Sequence, residues 1–175
     1  GKTFMLRGDM DALPVVEDTS YSFAATNGCS HACGHDIHTA SMLGAAKILK
    51  EMEDEIDGKV VFMFQPGEEV FKGALSMLND GLLETYKPDV ALGIHNFPEL
   101  EPGYVGLKKG LSGASCDGFG INITGKGGHG AYPYLNIDPL QVGVQIYLGL
   151  QELISREADP KGFCSITLGE FKAGT

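Results

Sequence analysis

The stretch His31-Ala32-Cys33-Gly34-His35-Asp36-Ile37-His38-Thr39-Ala40 constrains this chain more than any other. It places three imidazoles, a thiol and a carboxylate within eight residues. Thiolate and imidazole are the side chains that bind borderline-soft divalent metals best. Ala32 and Gly34 separate the candidates with small residues, so the backbone can bend and let alternate side chains converge. From Thr39 to Lys50 the pattern predicts an amphipathic helix with Met42, Leu43, Ala46 and Leu49 on one side. The expected arrangement is a metal site in a loop that feeds a helix N-terminus. A lone histidine near a helix start is more often a surface or capping residue, and a lone cysteine a small buried hydrophobe. Support must therefore come from elsewhere in the chain.

It comes from the ends of three predicted strands. Lys2 to Arg7 is a short apolar strand that runs into Gly8-Asp9-Met10-Asp11 before Pro14. Two carboxylates two apart point the same way on a strand. They are either a polar turn or groups that orient a ligand histidine from behind. Lys59 to Phe64 is a continuous apolar run, expected as a buried central strand, and ends in Gln65-Pro66-Gly67-Glu68-Glu69. Adjacent carboxylates repel, and a nearby cation relieves that cost. A helix N-terminus would also welcome them. Gly73 to Leu83 reads as a second helix, closed near Gly81, and Asp89 to Ile94 as a third strand, ending at His95. Strand, helix, strand order argues for a parallel α/β sheet, whose ligands gather at the carboxyl ends of its strands. Cys33, His35, His95 and the adjacent carboxylates Glu68 and Glu69 are the candidates for a metal site. Asp9, Asp11 and Asp36 are candidates to orient them.

Hydrophobic residues make up 43% of the 175, so a core can form. A net charge of −10 argues against a nucleic-acid partner. No stretch approaches the roughly 18 continuous apolar residues of a membrane helix. Cys29, Cys33, Cys116 and Cys164 are not spaced as a disulfide framework. The expected compartment is reducing, the cytoplasm, with Cys29, Cys116 and Cys164 as buried thiols. The chain starts at Gly1 directly before a strand and stops at Ala173-Gly174-Thr175 after a strand-like run. Both ends are read as cut from a longer protein.

Beyond Pro102 the character shifts. Gly103 to Ser115 is a glycine-rich connection. Phe119 to Thr124 and Phe163 to Phe171 alternate, which predicts strands with one wet face, around a long helix over Ile137 to Arg156. Gly125-Lys126-Gly127-Gly128-His129-Gly130 is no phosphate loop, since no Ser or Thr follows the Lys. A domain boundary is expected near 112 to 118, giving a catalytic part over 1–114 and a smaller α+β lid or dimerisation part over 115–175.

Together the segments RGDMDALPVVE (Arg7 to Glu17), HACGHDIHTA (His31 to Ala40), QPGEE (Gln65 to Glu69), GIHNFP (Gly93 to Pro98) and GKGGHGAYP (Gly125 to Pro133) resemble a known family. It is the dinuclear-metal amidohydrolases and peptidases that include aminoacylase, carboxypeptidase G and hippurate hydrolase. The segments look most like its hippurate hydrolase and auxin-conjugate hydrolase branch. The resemblance implies an N-acyl-amino-acid amidohydrolase with two divalent ions per full-length subunit: manganese, zinc, nickel or cobalt. It implies that Cys33 bridges the metals, that His35, Glu69 and His95 are further ligands, and that Glu68 is the general acid/base. His129 would hold the substrate carbonyl or carboxylate, often across a homodimer or higher homo-oligomer. The expected substrate is a small N-acyl amino acid or short peptide, hippurate-like or N-acetylated. Tyr134 stands where the family usually has His. The family's last histidine ligand would lie beyond Thr175, so this segment alone is expected to be inactive. A dipeptidase or carboxypeptidase of the same family is the alternative. A structural zinc site of Cys29, His31, Cys33 and His35 is the remote one.

Overall fold

The computed structural model describes residues 1–174, which divide into two compact units, 1–105 and 106–174. The first unit is α/β. Its sheet has three parallel strands in the order β2-β1-β3: β1 (Lys2–Asp9), β2 (Gly58–Gln65) and β3 (Val90–Gly93). The helices are α1 (His35–Glu51), α2 (Gly73–Asn79) and α3 (Leu82–Tyr86). Among the described residues β1, not β2, is the middle strand. The apolar run Lys59 to Phe64 marks β2 as a strand, but strand order depends on pairing partners far away in sequence, which a local run does not encode.

The pairing register decides where the loops emerge. Lys2 pairs with Gly58 and Asp9 with Gln65, while Arg7 pairs with Gly93. All three strands therefore finish at one edge, and the segments that follow leave side by side.

Helix α1 starts at His35, four residues before the expected start. Gly34 at its N-cap has φ 81°, a left-handed conformation that favours glycine. Thus His35 is the first helical residue, and only Cys33 stays in the turn. The buried residues of α1 are His35, His38 and Met42, at helical spacing, whereas Leu43 is exposed. A second correction concerns the Gly73 to Leu83 segment. It is two short helices, because Gly81 (φ 84°) stops the first and opens the second.

Met5, Met42 and Met63 are the buried hydrophobic side chains of the core. They lie on β1, α1 and β2, where α1 packs on the sheet. A Cβ on Gly8 would come within 2.8 Å of Met42 Cγ, so helix and strand are in close contact there.

In the second unit α4 (Pro139–Arg156) is opened by Asp138, whose Oδ1 accepts the N–H groups of Leu140 (2.9 Å) and Gln141 (3.4 Å). Proline at its first position suits the fixed φ of that residue. Residues 119–124 and 163–171 do not form the expected strands; among the described residues neither carries a ladder. Alternation specifies an extended chain with one covered face, but here Phe119, Ile121, Phe163 and Leu168 stay exposed and α4 touches each segment only locally. Phe171 lies 3.0 Å from a Cβ position on Gly143, Ile123 lies 3.5 Å from it, and Gln151 Nε2 donates to the Ile166 carbonyl (3.2 Å). A ladder further requires an adjacent strand. Cys116 and Cys164 are exposed rather than buried, since both lie in segments without regular structure.

The Met42 contact yields a test of the core. Met42→Ala should cost about 2–4 kcal/mol in chemical denaturation, the usual range for emptying a buried long side chain. A loss below about 1 kcal/mol would show that α1 is not seated on the sheet through this residue.

Candidate metal centre

Each strand delivers polar residues to the shared edge. Asp9 ends β1 and Asp11 follows it; Glu68 and Glu69 follow β2; His95 and Asn96 follow β3. The α1 N-terminus brings Cys33 and His35 to the same place. Three triplets of potential metal-binding atoms result, each with its atoms within 4.8 Å of one another: Cys33, His35 and His95; His35, Glu68 and Glu69; Asp9, His35 and His38. His35 belongs to all three. Neither Cys29 nor His31 belongs to any, so the four-residue structural zinc site is not assembled among the described residues.

His35 is fully buried. Its Nδ1 donates to the Asp11 carbonyl oxygen at 3.0 Å, which leaves the Nε2 lone pair facing the cluster. That Nε2 lies 3.6 Å from Glu69 Oε1, 3.9 Å from Glu68 Oε2 and 3.7 Å from Asp9 Oδ1. His95 is arranged alike. Its Nδ1 pairs with the Asn96 carbonyl at 2.7 Å, and its Nε2 is 3.6 Å from Cys33 Sγ. Both rings thus present Nε2 to one space.

Among the described residues four buried side-chain atoms have no hydrogen-bond partner, Asp9 Oδ2, Asp11 Oδ1, His35 Nε2 and Glu69 Oε1, and the last two face each other across that space at 3.6 Å. Leaving a buried polar atom unpaired costs about 1–3 kcal/mol. A cation between the last two would satisfy both. The donor set of thiol, imidazole and carboxylate also suits a borderline divalent ion. The residues therefore fit a metal.

The carboxylates differ in how the protein treats them. Burial pushes the Asp9 carboxyl up, but the hydrogen bond from His38 and the Arg7 guanidinium (2.7 Å) outweigh it and hold the group below its ordinary value. Burial likewise acts against Asp11, and the backbone N–H groups of Glu69 and Glu68 hold it low; Glu69 N donates to its Oδ2 at 3.0 Å. The Cys33 thiol is pushed up, first by burial and then by Glu69, Glu68 and Asp9. A cation in the cluster would reverse that sign and favour the thiolate. Asp36 is exposed in the first turn of α1, where an acid suits the helix dipole. His129 lies in the second unit and is exposed, its Nδ1 accepting the Ala131 N–H (3.0 Å) and its ring 5.2 Å from that of Tyr132.

Two residues with no role expected from the sequence stand against the cluster. His38 is buried between Asp9 and Asn96, and Arg7 bridges Asp9 and Gln65 Oε1 (2.8 Å). For His38 the available signal was helical spacing, since three residues after His35 is the same face of α1.

Comparisons with known proteins bear on this cluster. Residues 5–110 match the profile of peptidase family M20/M25/M40. The whole chain is 43% identical to an N-acyl-L-amino acid amidohydrolase of Geobacillus stearothermophilus, covering 47% of that protein. It is 42% identical to an N-acetyl-L-cysteine deacetylase of Bacillus subtilis, covering 42%. The chain thus spans about half the length of the curated relatives it matches. Among solved structures, a protein of methicillin-resistant Staphylococcus aureus provisionally described as an aminohydrolase aligns over the whole chain and 47% of its own, with TM-score 0.70 and 37% identity. The Bacillus subtilis YxeP protein, described as a dinuclear metal binding peptidase, aligns over 63% of this chain and 31% of its own, with TM-score 0.59 and 43% identity.

Two outcomes follow from the geometry. A methyl group on Gly34 would stand 2.6 Å from the Asn96 side chain, and φ 81° disfavours it further. Gly34→Ala should lower stability by about 1–3 kcal/mol and weaken metal binding, read by melting and by chelator competition. The second outcome is acid sensitivity. Asp9 and Asp11 lie below their ordinary 3.8 in the folded state, so their stabilisation is complete above that pH and is lost as pH falls through the folded values. Thermal melts from about pH 6 down to about pH 2 should fall steeply at the acid end, and Asp9→Asn should flatten that fall.

Proposed function

This chain belongs to peptidase family M20/M25/M40, and from that premise we propose that it forms the metal-binding part of an enzyme that hydrolyses the amide bond of N-acyl amino acids. The observation that carries the reading is the pair of unpaired buried atoms, His35 Nε2 and Glu69 Oε1, inside a cluster completed by Cys33, Glu68 and His95. The names of the amidohydrolase and deacetylase relatives support the substrate class. In this proposal Cys33, His35, Glu69 and His95 would hold two divalent ions. When bound, such ions lower the pKa of a water toward about 7 and polarise a carbonyl.

The remaining work falls to side chains. Glu69 turns a buried oxygen to the cluster, which suits a ligand. Glu68 is more open to solvent, with its side chain one third exposed, which suits a group that must exchange protons. Glu68 takes a proton from the attacking water and returns it to the leaving amine, so that a carboxylic acid and a free amino acid result. Asp11 keeps His35 in the tautomer that offers Nε2. For His129 the family resemblance is the support for a hydrogen bond to the substrate carbonyl as charge develops. Manganese, zinc, nickel and cobalt all suit the donor set. Hippurate-like and N-acetyl substrates, a homodimeric assembly and a cytoplasmic location complete the proposal. No helix among the described residues is long and apolar enough to cross a membrane.

The experiment uses the full-length protein purified without chelator. Glu68→Gln should lower kcat by about 10²–10⁴-fold with metal content unchanged. Cys33→Ala should instead lower the metal per chain in elemental analysis. Near-normal kcat in the first variant would remove Glu68 from its role, and full metal occupancy in the second would remove Cys33. Profiling N-acetyl and N-benzoyl amino acids against dipeptides separates the amidohydrolase from a peptidase.

A further inference from the structure

His38 lies within 4.8 Å of metal-binding atoms on Asp9 and His35, which makes it a candidate third imidazole ligand. The hydrogen bonding assigns it a different part. We infer that His38 is a positioning residue, buttressed by Asp9, that fixes the Asn96 peptide and through it the aim of His95. The inference rests on the metal-centre reading above and adds to it a residue that acts through another.

The protons can be placed from the partners. Asp9 Oδ1 contacts His38 Nδ1, and an ionised carboxylate only accepts, so Nδ1 carries hydrogen. On the other side the backbone N–H of Asn96 points at His38 Nε2 with N···N 2.7 Å. The peptide plane fixes the direction of that N–H, so Nε2 must offer its lone pair. Both ring nitrogens are thereby engaged, and none is left for a metal. Asn96 Oδ1 lies 2.7 Å from the same Nε2. Two lone pairs at that distance repel, so the amide belongs the other way round, with its NH₂ toward the ring.

This ring ties three segments that are far apart in sequence. Asp9 ends β1, His38 is in α1, and Asn96 follows β3. Asp9 is 0% exposed and His38 1%, so water does not compete for either bond. Asn96 passes the constraint on in two directions. Its own carbonyl pairs with His95 Nδ1 at 2.7 Å, which turns His95 Nε2 toward Cys33. Its side-chain amide occupies the space that a Cβ on Gly34 would need, between Cys33 and His35. One buried imidazole thus sets the separation between the α1 turn and the β3 end, and so the spacing of Cys33, His35 and His95.

The test begins with the unmutated full-length protein, labelled with ¹⁵N and studied with and without added zinc. His38 should show a protonated Nδ1 and an unprotonated Nε2 in both states. His35 and His95 should show a coordination shift at Nε2 when zinc is added. A coordination shift at His38 Nε2, or a protonated Nε2 in the metal-free protein, overturns the inference. The second measurement compares His38→Leu, which keeps bulk alone, with His38→Gln, which keeps a donor and an acceptor. Chelator competition should show zinc affinity weakened about 10–100-fold in His38→Leu and largely restored in His38→Gln, with saturating metal per chain unchanged in both. Loss of a metal equivalent in both variants would make His38 a ligand. Wild-type affinity in His38→Leu would make it a bystander. If the wild type binds no metal, the metal-centre reading fails, while the ring tautomer in the metal-free protein still decides what His38 and Asn96 do to each other.

Discussion

The parallel pairing of β1 with β2 and β3 is the constraint on which the rest of this structure depends. The register Asp9 to Gln65 and Arg7 to Gly93 makes three strands stop at one edge. Everything of chemical interest in the first unit leaves from that edge or from the α1 turn beside it. Side chains alternate along a strand, so a slip of one residue would turn Asp9, together with Arg7, to the opposite face and take His38 from it. The short core of Met5, Met42 and Met63 pins α1 to the sheet and so brings Cys33 and His35 to the strand ends.

Around His35 the electrostatics divide the carboxylates into two kinds. Asp9 and Asp11 are answered by the protein itself, through Arg7, His38 and the backbone N–H of Glu69. Glu69 is left with a buried oxygen unpaired, and His35 with an unpaired nitrogen 3.6 Å from it. The first pair hold the framework and the second face the space proposed for the metal. Neighbouring acidic residues are thus not interchangeable: Asp9 and Asp11 each keep one buried oxygen without a hydrogen bond but have protein donors or Arg7 beside them, which the Glu69 oxygen does not.

Much of the first unit was legible in the sequence because its signals are local. Apolar runs marked the three strands, and the polar residues at their ends are those that converge. The start of α1 is not legible, because the turn at Gly34 depends on a left-handed φ that composition does not display. The middle position of β1 was not readable, since strand order is a property of distant partners. In the second unit, alternation at 119–124 and 163–171 could not supply the neighbouring strand a ladder needs, and most of the apolar side chains there stay exposed. The sharpest limit is His38. On paper it is the twin of His35, three residues along the same helix. The two are told apart by Asp11 behind one ring and Asn96 in front of the other, and no spacing rule reaches across 58 residues to Asn96.

The separation of the cluster members along the chain also governs when the site can come into being. Cys33 and His95 are 62 residues apart, and between them the chain must complete α1, β2, α2 and α3 before β3 can dock. Closing such long loops is slow compared with forming a helix or a hairpin. In a small zinc finger the ligands are neighbours, and the ion can organise the chain from its first turns. Here an ion has nothing complete to grip until the sheet is finished. If the proposed ligands hold an ion, its capture would be the closing step of assembly, following strand pairing and then holding the paired sheet together by mass action.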